Sequence, residues 1–291
     1  MTNQVVKSLS VGWKRRKFDG LRNGLAAVGA AWALTEMTTA ALPGAKTYLE
    51  TNGSAYLWLM VIVFIGMFIA SVAEPVQVTF KVPTTDTSIT LKYGDLFAEP
   101  ANLLIGVNEF FDGELGPAVS DKSVHGQYIV RNHGGNANVF RAAVDPALAA
   151  TGATATSTGR PAQPSSAYPI GTTARVPNGP KSAFLMAMAR TDSVTFKASS
   201  DVPTLWTALK GGLQAVHNYG NGELVAMPLF GNGQAGINLT PQHLLRLLTL
   251  ALVDFGRNSN SQLPKQVTIV LHDRCFEELD IREIARDWKK A

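Results

Sequence analysis

Hydrophobic positions divide the chain into two unlike parts. Residues 55 to 73 read AYLWLMVIVFIGMFIASVA, an uncharged apolar run. About 20 such residues match a hydrocarbon core of roughly 30 Å, so the run predicts a membrane span. A second, weaker candidate covers Gly24 to Ala45, rich in Ala and Thr, with Glu36 in its middle. A carboxylate at that depth is costly unless it faces water or a partner helix. Either Glu36 sits in an imperfect span, or it faces a bundle formed when several hairpins associate. Gly24, Gly29, Ala30 and Ala33 would let helices approach closely. Trp58 is an expected membrane residue of the second span.

From about residue 77 onward the pattern is that of a soluble α/β domain. Ser88–Tyr93 alternates as a strand, and Asn102–Val107 is a continuous apolar run of the kind buried on both faces. A helix is expected from about 120 to 129, a strand over 182–189 and a helix over 202–219. Then follow a strand at 224–230 and a helix at 240–255 with Thr240 as N-cap and Pro241 at N1. A strand at 266–271 and a helix at 276–288 close the chain. Residues 133–166 are poor in large apolar side chains and read as a flexible insertion. Strands alternating with helices predict a layered α/β fold with a largely parallel sheet.

Composition sharpens this division. The 291 residues are 46% hydrophobic and only 16% charged, below the roughly 25% of ordinary soluble domains. Net charge is +4, but Lys14, Arg15, Arg16, Lys17 and Arg22 crowd the start. The basic balance is therefore local and does not point to nucleic acid. These cations should keep residues 1–23 in the cytoplasm. Spans at 24–45 and 55–73 then return the domain at 76–291 to the same side. A secretory signal peptide is the rival reading; it leaves 55–73 unexplained unless that run stops transfer. Cys275 is the single cysteine, which excludes an internal disulfide. The five histidines show no metal-ligand spacing, and no metal is expected. His272-Asp273-Arg274-Cys275 reads as a structural cysteine after the last strand.

Two loops carry candidate chemistry. Gly231, Gly233 and Gly236 form G-x-G-x-x-G after a strand and before a helix. Such glycines let backbone N–H groups approach phosphates, or else serve a tight turn. A dinucleotide fingerprint would open a βαβ unit with an acidic residue about 20 positions on. Here the motif lies late, so a hydride-transfer cofactor is not implied. The second loop, Asn108 to Gly116 (NEFFDGELG), is followed by Val119, Ser123 and His125-Gly126. Both loops follow buried strands, and ligands in open α/β sheets bind at that carboxyl edge.

Gly94-Asp95-Leu96, the strand ending at Val107-Asn108, its Gly loop, and the late PLF–GNGQAG–helix resemble a macro domain. With SDKSVHGQYI and the preceding hairpin, the chain resembles the membrane-anchored macro-domain effector of type II Thoeris anti-phage systems. The resemblance implies a three-layer α/β/α form of the layered fold, with a mixed, largely parallel sheet. It also implies binding of an ADP-ribose derivative, histidine-ADP-ribose in these systems, made from NAD by a TIR-domain partner. No cofactor is implied. Asp95 beside Leu96 would accept from the adenine amine, and Asn108 would lie near the distal ribose. Gly113 to Val119, including Gly116, and Gly231 to Ile237, including Asn232, Gln234 and Ala235, would wrap the diphosphate. Phe111 or Phe230 would stack on a ring, while Ser123 and His125 belong to the matching helix start. Glu109 and Asp112 could meet the amino group of a histidine-bearing ligand. The implied effector self-associates in the bacterial inner membrane and kills the host cell. Bulky Phe110 and Phe111 replace the small residues of ADP-ribosyl hydrolases, which favours sensing over hydrolysis; a membrane-anchored ADP-ribose hydrolase is the alternative.

Overall fold

The computed structural model describes residues 2–161, 164–233, 236–257 and 262–289, arranged as two units, 1–76 and 77–291. The first unit is helical: α1 (Thr2–Ala41), α2 (Pro43–Thr51) and α3 (Gly53–Val72). Pro43 supplies no N–H to continue α1 and instead opens α2. α1 and α3 run antiparallel along each other. Thr35 accepts from the Tyr56 hydroxyl at 3.0 Å near one end, and the Asn23 amide reaches Ser71 at 3.1 Å nearer the other. Small residues set the spacing: a Cβ on Gly12 would lie 1.8 Å from the Val72 carbonyl oxygen. Trp13 and Phe68 pack ring to ring at 5.5 Å, as do Trp32 and Tyr56 at 6.1 Å. α1 bends at Arg16, whose φ of −132° is not helical. There the buried Arg16 guanidinium meets the Glu74 carboxylate at 3.1 Å.

Among the described residues, α3 is the one helix long and apolar enough to cross a membrane. The expected first span differs from the structure. Residues 24–41 belong to a helix that begins near residue 2, carries the basic cluster and stops at Ala41, while Pro43 to Ala45 open α2. Glu36 is exposed on this helix, and Trp58 of α3 is exposed as well. The basic start is thus no separate segment but the first half of α1, packed on the last turns of α3.

The second unit is built on one sheet. Its strands are β1 (Gln77–Lys81), β2 (Ser88–Tyr93), β3 (Asn102–Asn108), β4 (Thr156–Ser157) and β5 (Ser166–Ala167), then β6 (Thr173–Asn178), β7 (Lys181–Thr191), β8 (Ala198–Ser199), β9 (Val225–Pro228) and β10 (Gln266–Leu271). The main order is β1-β2-β10-β9-β3-β7-β6. Strands β2, β10, β9, β3 and β7 pair in parallel; β1 and β6 add antiparallel edges. The parallel strands read as apolar runs because both faces are covered. Helices α4 (Val124–His133) and α5 (Ala137–Ala149) bury Tyr128, Ile129, Phe140 and Val144 against Leu103, Ile105 and Val107 of β3. On the other face α6 (Val202–Tyr219) approaches so closely that a Cβ on Gly212 would meet Met186 and Leu104. α7 (Pro241–Arg257) lies beside α6, and its Arg246 holds Glu283 and Asp287 of α8 (Ile281–Lys289). The unit is therefore a three-layer α/β/α fold with a mixed, mostly parallel sheet.

Within residues 133–166 the structure places a helix, Ala137–Ala149. Gly134 ends α4 in the left-handed region, and Asn136 caps α5 by accepting from the N–H groups of Asn138 and Val139. Phe140, Val144 and Leu148, spaced by four, are fully buried. Three large side chains on one stripe suffice for a helix that low apolar content obscures. The final helix also starts later than expected, after a short 3₁₀ turn at Asp273–Glu277. Replacing Phe140 with Ala should lower unfolding stability by about 3–5 kcal/mol, read from denaturant midpoints in detergent. A change below about 1 kcal/mol would place α5 outside the core.

Candidate functional site

Parallel pairing places the carboxyl ends of β2, β3, β9 and β10 on one edge of the sheet. A cleft of about 1010 Å³ opens there. β2 delivers Asp95. One carboxylate oxygen accepts from the Phe97 N–H at 3.1 Å and the other from Arg131 at 2.7 Å. Arg131 also lies 4.6 Å over the Phe97 ring. Its hydrogen bond holds the Asp95 carboxyl below the usual carboxylate range. This end of the cleft therefore presents a fixed anionic acceptor beside Leu96 and an aromatic ring.

β3 delivers Asn108 past a register shift against β7. Asn108 is on the cleft wall, but its side chain also turns inward. Its amide donates to Asp112 at 2.8 Å and its oxygen accepts from the Asp112 N–H at 3.1 Å. Asp112 is buried and ion-paired to Arg160 at 2.8 Å. Glu109 accepts from the Thr191 N–H. Neither carboxylate lines the cleft, which corrects their expected role toward a ligand amino group. Phe111 is fully buried with φ of 52°, packs on Tyr168 and does not line the cleft. Gly113 packs against the Phe140 ring and the Ala137 carbonyl. Gly116 is exposed and donates its N–H to the Val119 carbonyl. Of the expected Gly113–Val119 wrap, Ala118 and Val119 reach the wall.

The wall continues through Ser120 to the start of α4. The Ser123 hydroxyl accepts from the Gly126 N–H at 3.0 Å and donates to the Ser120 carbonyl at 2.7 Å. Gly126 is required, because a Cβ there would meet that same carbonyl oxygen at 2.1 Å. The S-x-H-G pattern thus folds the loop back over the helix end. α4 opens on the cleft with its positive dipole end, a ready anion site. His125 is buried there, and burial lowers its pKa to about 3. It is neutral at physiological pH.

β9 leads into Phe230 and Gly231, both on the wall with Asn232 and Gly233. Gly231 has φ of 84° and would crowd Ile237 and Leu244 if it carried a side chain. Ile237 packs behind the loop, and Gly236 closes it by donating to the Gly233 carbonyl; neither lines the cleft. Gln234 and Ala235 lie outside the described residues. Asn232 donates to the Cys275 sulfur at 3.3 Å. Cys275 and its neighbours His272, Asp273 and Arg274 line the cleft, a contribution that local motif reading sets aside. Burial pushes the Cys275 thiol up, so it stays protonated. The usable signal is topological: a strand parallel to its neighbours releases its loop on their edge.

His125 predicts a pH dependence. Its ordinary pKa of 6.5 falls to about 3 in the fold, so between these values the unfolded chain binds the extra proton. Stability then rises with pH across that window and levels off above it. His133, also lowered by burial, adds in the same direction. His125→Gln should reduce the stability loss between pH 7 and pH 5 by about 2 kcal/mol in denaturant titrations. An unchanged loss would mean that the imidazole is solvated.

Comparison with known proteins follows the fold. The family described as "Thoeris protein ThsA, Macro domain" matches residues 89–272, well over half of the chain. Among curated proteins none matches. Similar solved structures include Oceanobacillus iheyensis macrodomains. One is a variant with ADPR, at 13% identity and TM-score 0.46, covering 74% of this chain and 97% of that one. Another, with ADP, shows 12% identity and TM-score 0.49, covering 74% and 99%. The matched residues run from β2 through β10 to His272 and hold most of the cleft lining, and so the chain belongs to the Thoeris ThsA macro-domain family.

Proposed function

We propose that the chain is a membrane-tethered sensor that binds an ADP-ribose-derived nucleotide and acts on the host membrane in anti-phage defence. The observation that carries this reading is the cleft at the sheet edge, with an anionic acceptor at one end and phosphate-type groups along its middle. Adenine would lie at Asp95 and Phe97, donating its amine to the carboxylate. The diphosphate would lie between the start of α4 and the Gly231–Gly233 turn, where N–H groups and the helix dipole favour anions. The distal ribose would reach Asn108. A histidine-bearing terminal group, as in histidine-ADP-ribose from a TIR-domain partner, is the ligand this reading favours. It requires no catalytic group.

The output would be the helical unit. α1 accompanies α3 along its length, and Leu57, Trp58, Ile62 and Ile65 of α3 are exposed. In this proposal both arms enter the bacterial inner membrane, and the basic half of α1 and the macro domain stay cytoplasmic. Ligand binding shifts the population toward self-associated hairpins that breach the bilayer, because the ligand favours the assembled state. The carboxylate of Glu36, turned outward, would then meet neighbouring hairpins or water.

Calorimetry on the full chain in detergent tests the ligand. ADP-ribose should bind, histidine-ADP-ribose more tightly, and chromatography should return both intact. Product formation would favour the hydrolase reading, and absence of heat would leave only an anchor. Asp95→Ala should weaken ADP-ribose binding on the order of 10-fold, as for a lost hydrogen bond to a charged group. Oligomer size in detergent should grow when histidine-ADP-ribose is added; an unchanged size would remove the assembly step. Trypsin should cut the macro domain in inverted vesicles and spare it in intact cells.

A further inference from the structure

We propose that Arg160, which stands outside the cleft, is a positioning residue for the ligand: its ion pair with Asp112 fixes the turn that holds the Asn108 amide on the cleft wall. The geometry forms a buried chain of three side chains. Asn108 donates to one Asp112 oxygen at 2.8 Å, and Arg160 donates to the other at 2.8 Å. Arg160 and Asp112 side chains are only 1% and 4% exposed.

This chain fixes the orientation of an amide. A side-chain amide has two N–H donors and an oxygen with two lone pairs. The carboxylate of Asp112 can face only the NH₂, and the Asp112 N–H can face only the oxygen. A flipped amide would set oxygen against carboxylate and N–H against N–H. The free N–H and lone pair of Asn108 therefore point one way, as long as the Asp112 side chain stays in place.

Arg160 keeps it there. A buried carboxylate stripped of its partner is strongly unfavourable and takes up a proton or moves toward water. The guanidinium is itself held between the Phe110 and Phe196 rings, at 4.4 and 4.9 Å from their centroids, and donates to the Pro164 carbonyl. Thr158 ties this segment to the Ser165 carbonyl through both its N–H and its hydroxyl. Thr158, Pro164 and Ser165 thus help hold the Arg160 cation at the back of the binding turn. The inference rests on the proposed function only in that the ligand touches Asn108.

The test is a double-mutant cycle on the full chain in detergent, with ADP-ribose as the calorimetric probe. Arg160→Met should weaken binding about 10-fold, but less than about twofold when Asn108→Ala is already present. Equal losses on both backgrounds would mean general loosening, and no loss on the native background would remove the role; either result overturns the inference. If Arg160→Met fails to unfold cooperatively, the uncharged pair Asp112→Asn with Arg160→Met replaces it under the same criteria. A readout without ligand is the NMR signal pair of the Asn108 side-chain amide, identified by its loss in Asn108→Ala. It should shift or broaden in Arg160→Met. If the native chain bound no ADP-ribose, the proposed function would fail, and an unmoved amide signal would separately overturn this inference.

Discussion

Parallel hydrogen bonding between strands buried on both faces is the constraint from which the rest of the soluble unit follows. β2, β10, β9, β3 and β7 point one way. β3, β9 and β10 are re-entered by crossovers on a sheet face, β2 and β7 by hairpins from β1 and β6, and each strand releases its following loop at the same edge. The apolar composition of these strands demands cover, which α4 and α5 supply on one face and α6 with α7 on the other. The cleft is a by-product of that arrangement: four loops far apart in sequence have nowhere else to emerge. Its chemistry is then set by what each loop carries, an acceptor at Asp95, a helix start at Ser123 and a close backbone turn at Gly231.

The strongly patterned elements are legible from residues alone. β2, α6 and β10 occupy the predicted positions, and Thr240 caps α7 through the His243 N–H. α5 escapes because small and polar residues fill most of its length, and only Phe140, Val144 and Leu148 carry the stripe. β1 and β6 escape as edge strands, which need only one neighbour and bear weaker patterning. In the cleft, glycines and the cap are readable because their chemistry is local. Asp112 and Phe111 mislead for a complementary reason: the residues that bury them, Arg160 and Tyr168, are remote in sequence. The loop after β10 is missed because its membership depends on strand order, which no local motif states.

In the helical unit, length and hydropathy describe α3 well and α1 poorly. α1 combines a basic half with an Ala-rich half that bears the outward Glu36, and its hydroxyls bond back to its own carbonyls at Thr35 and Thr38. What it offers α3 is shape more than hydrophobicity, through glycines at the crossing and aromatic pairs at intervals. Family membership rests on the macro domain, whereas the hairpin is specific to how this chain is arranged before it.

The Arg16–Glu74 pair has a mechanical consequence for that hairpin. One end of the two arms is joined covalently through α2, and the other is clasped by two buried charges. Such a closed frame does not splay by degrees. Small torques on that end are absorbed by the clasp, because drawing the pair apart part-way loses its attraction before water reaches either charge. Only a load large enough to hydrate both ions releases the arms. The frame therefore converts a graded pull into a threshold, and the bend at Arg16 marks where release begins.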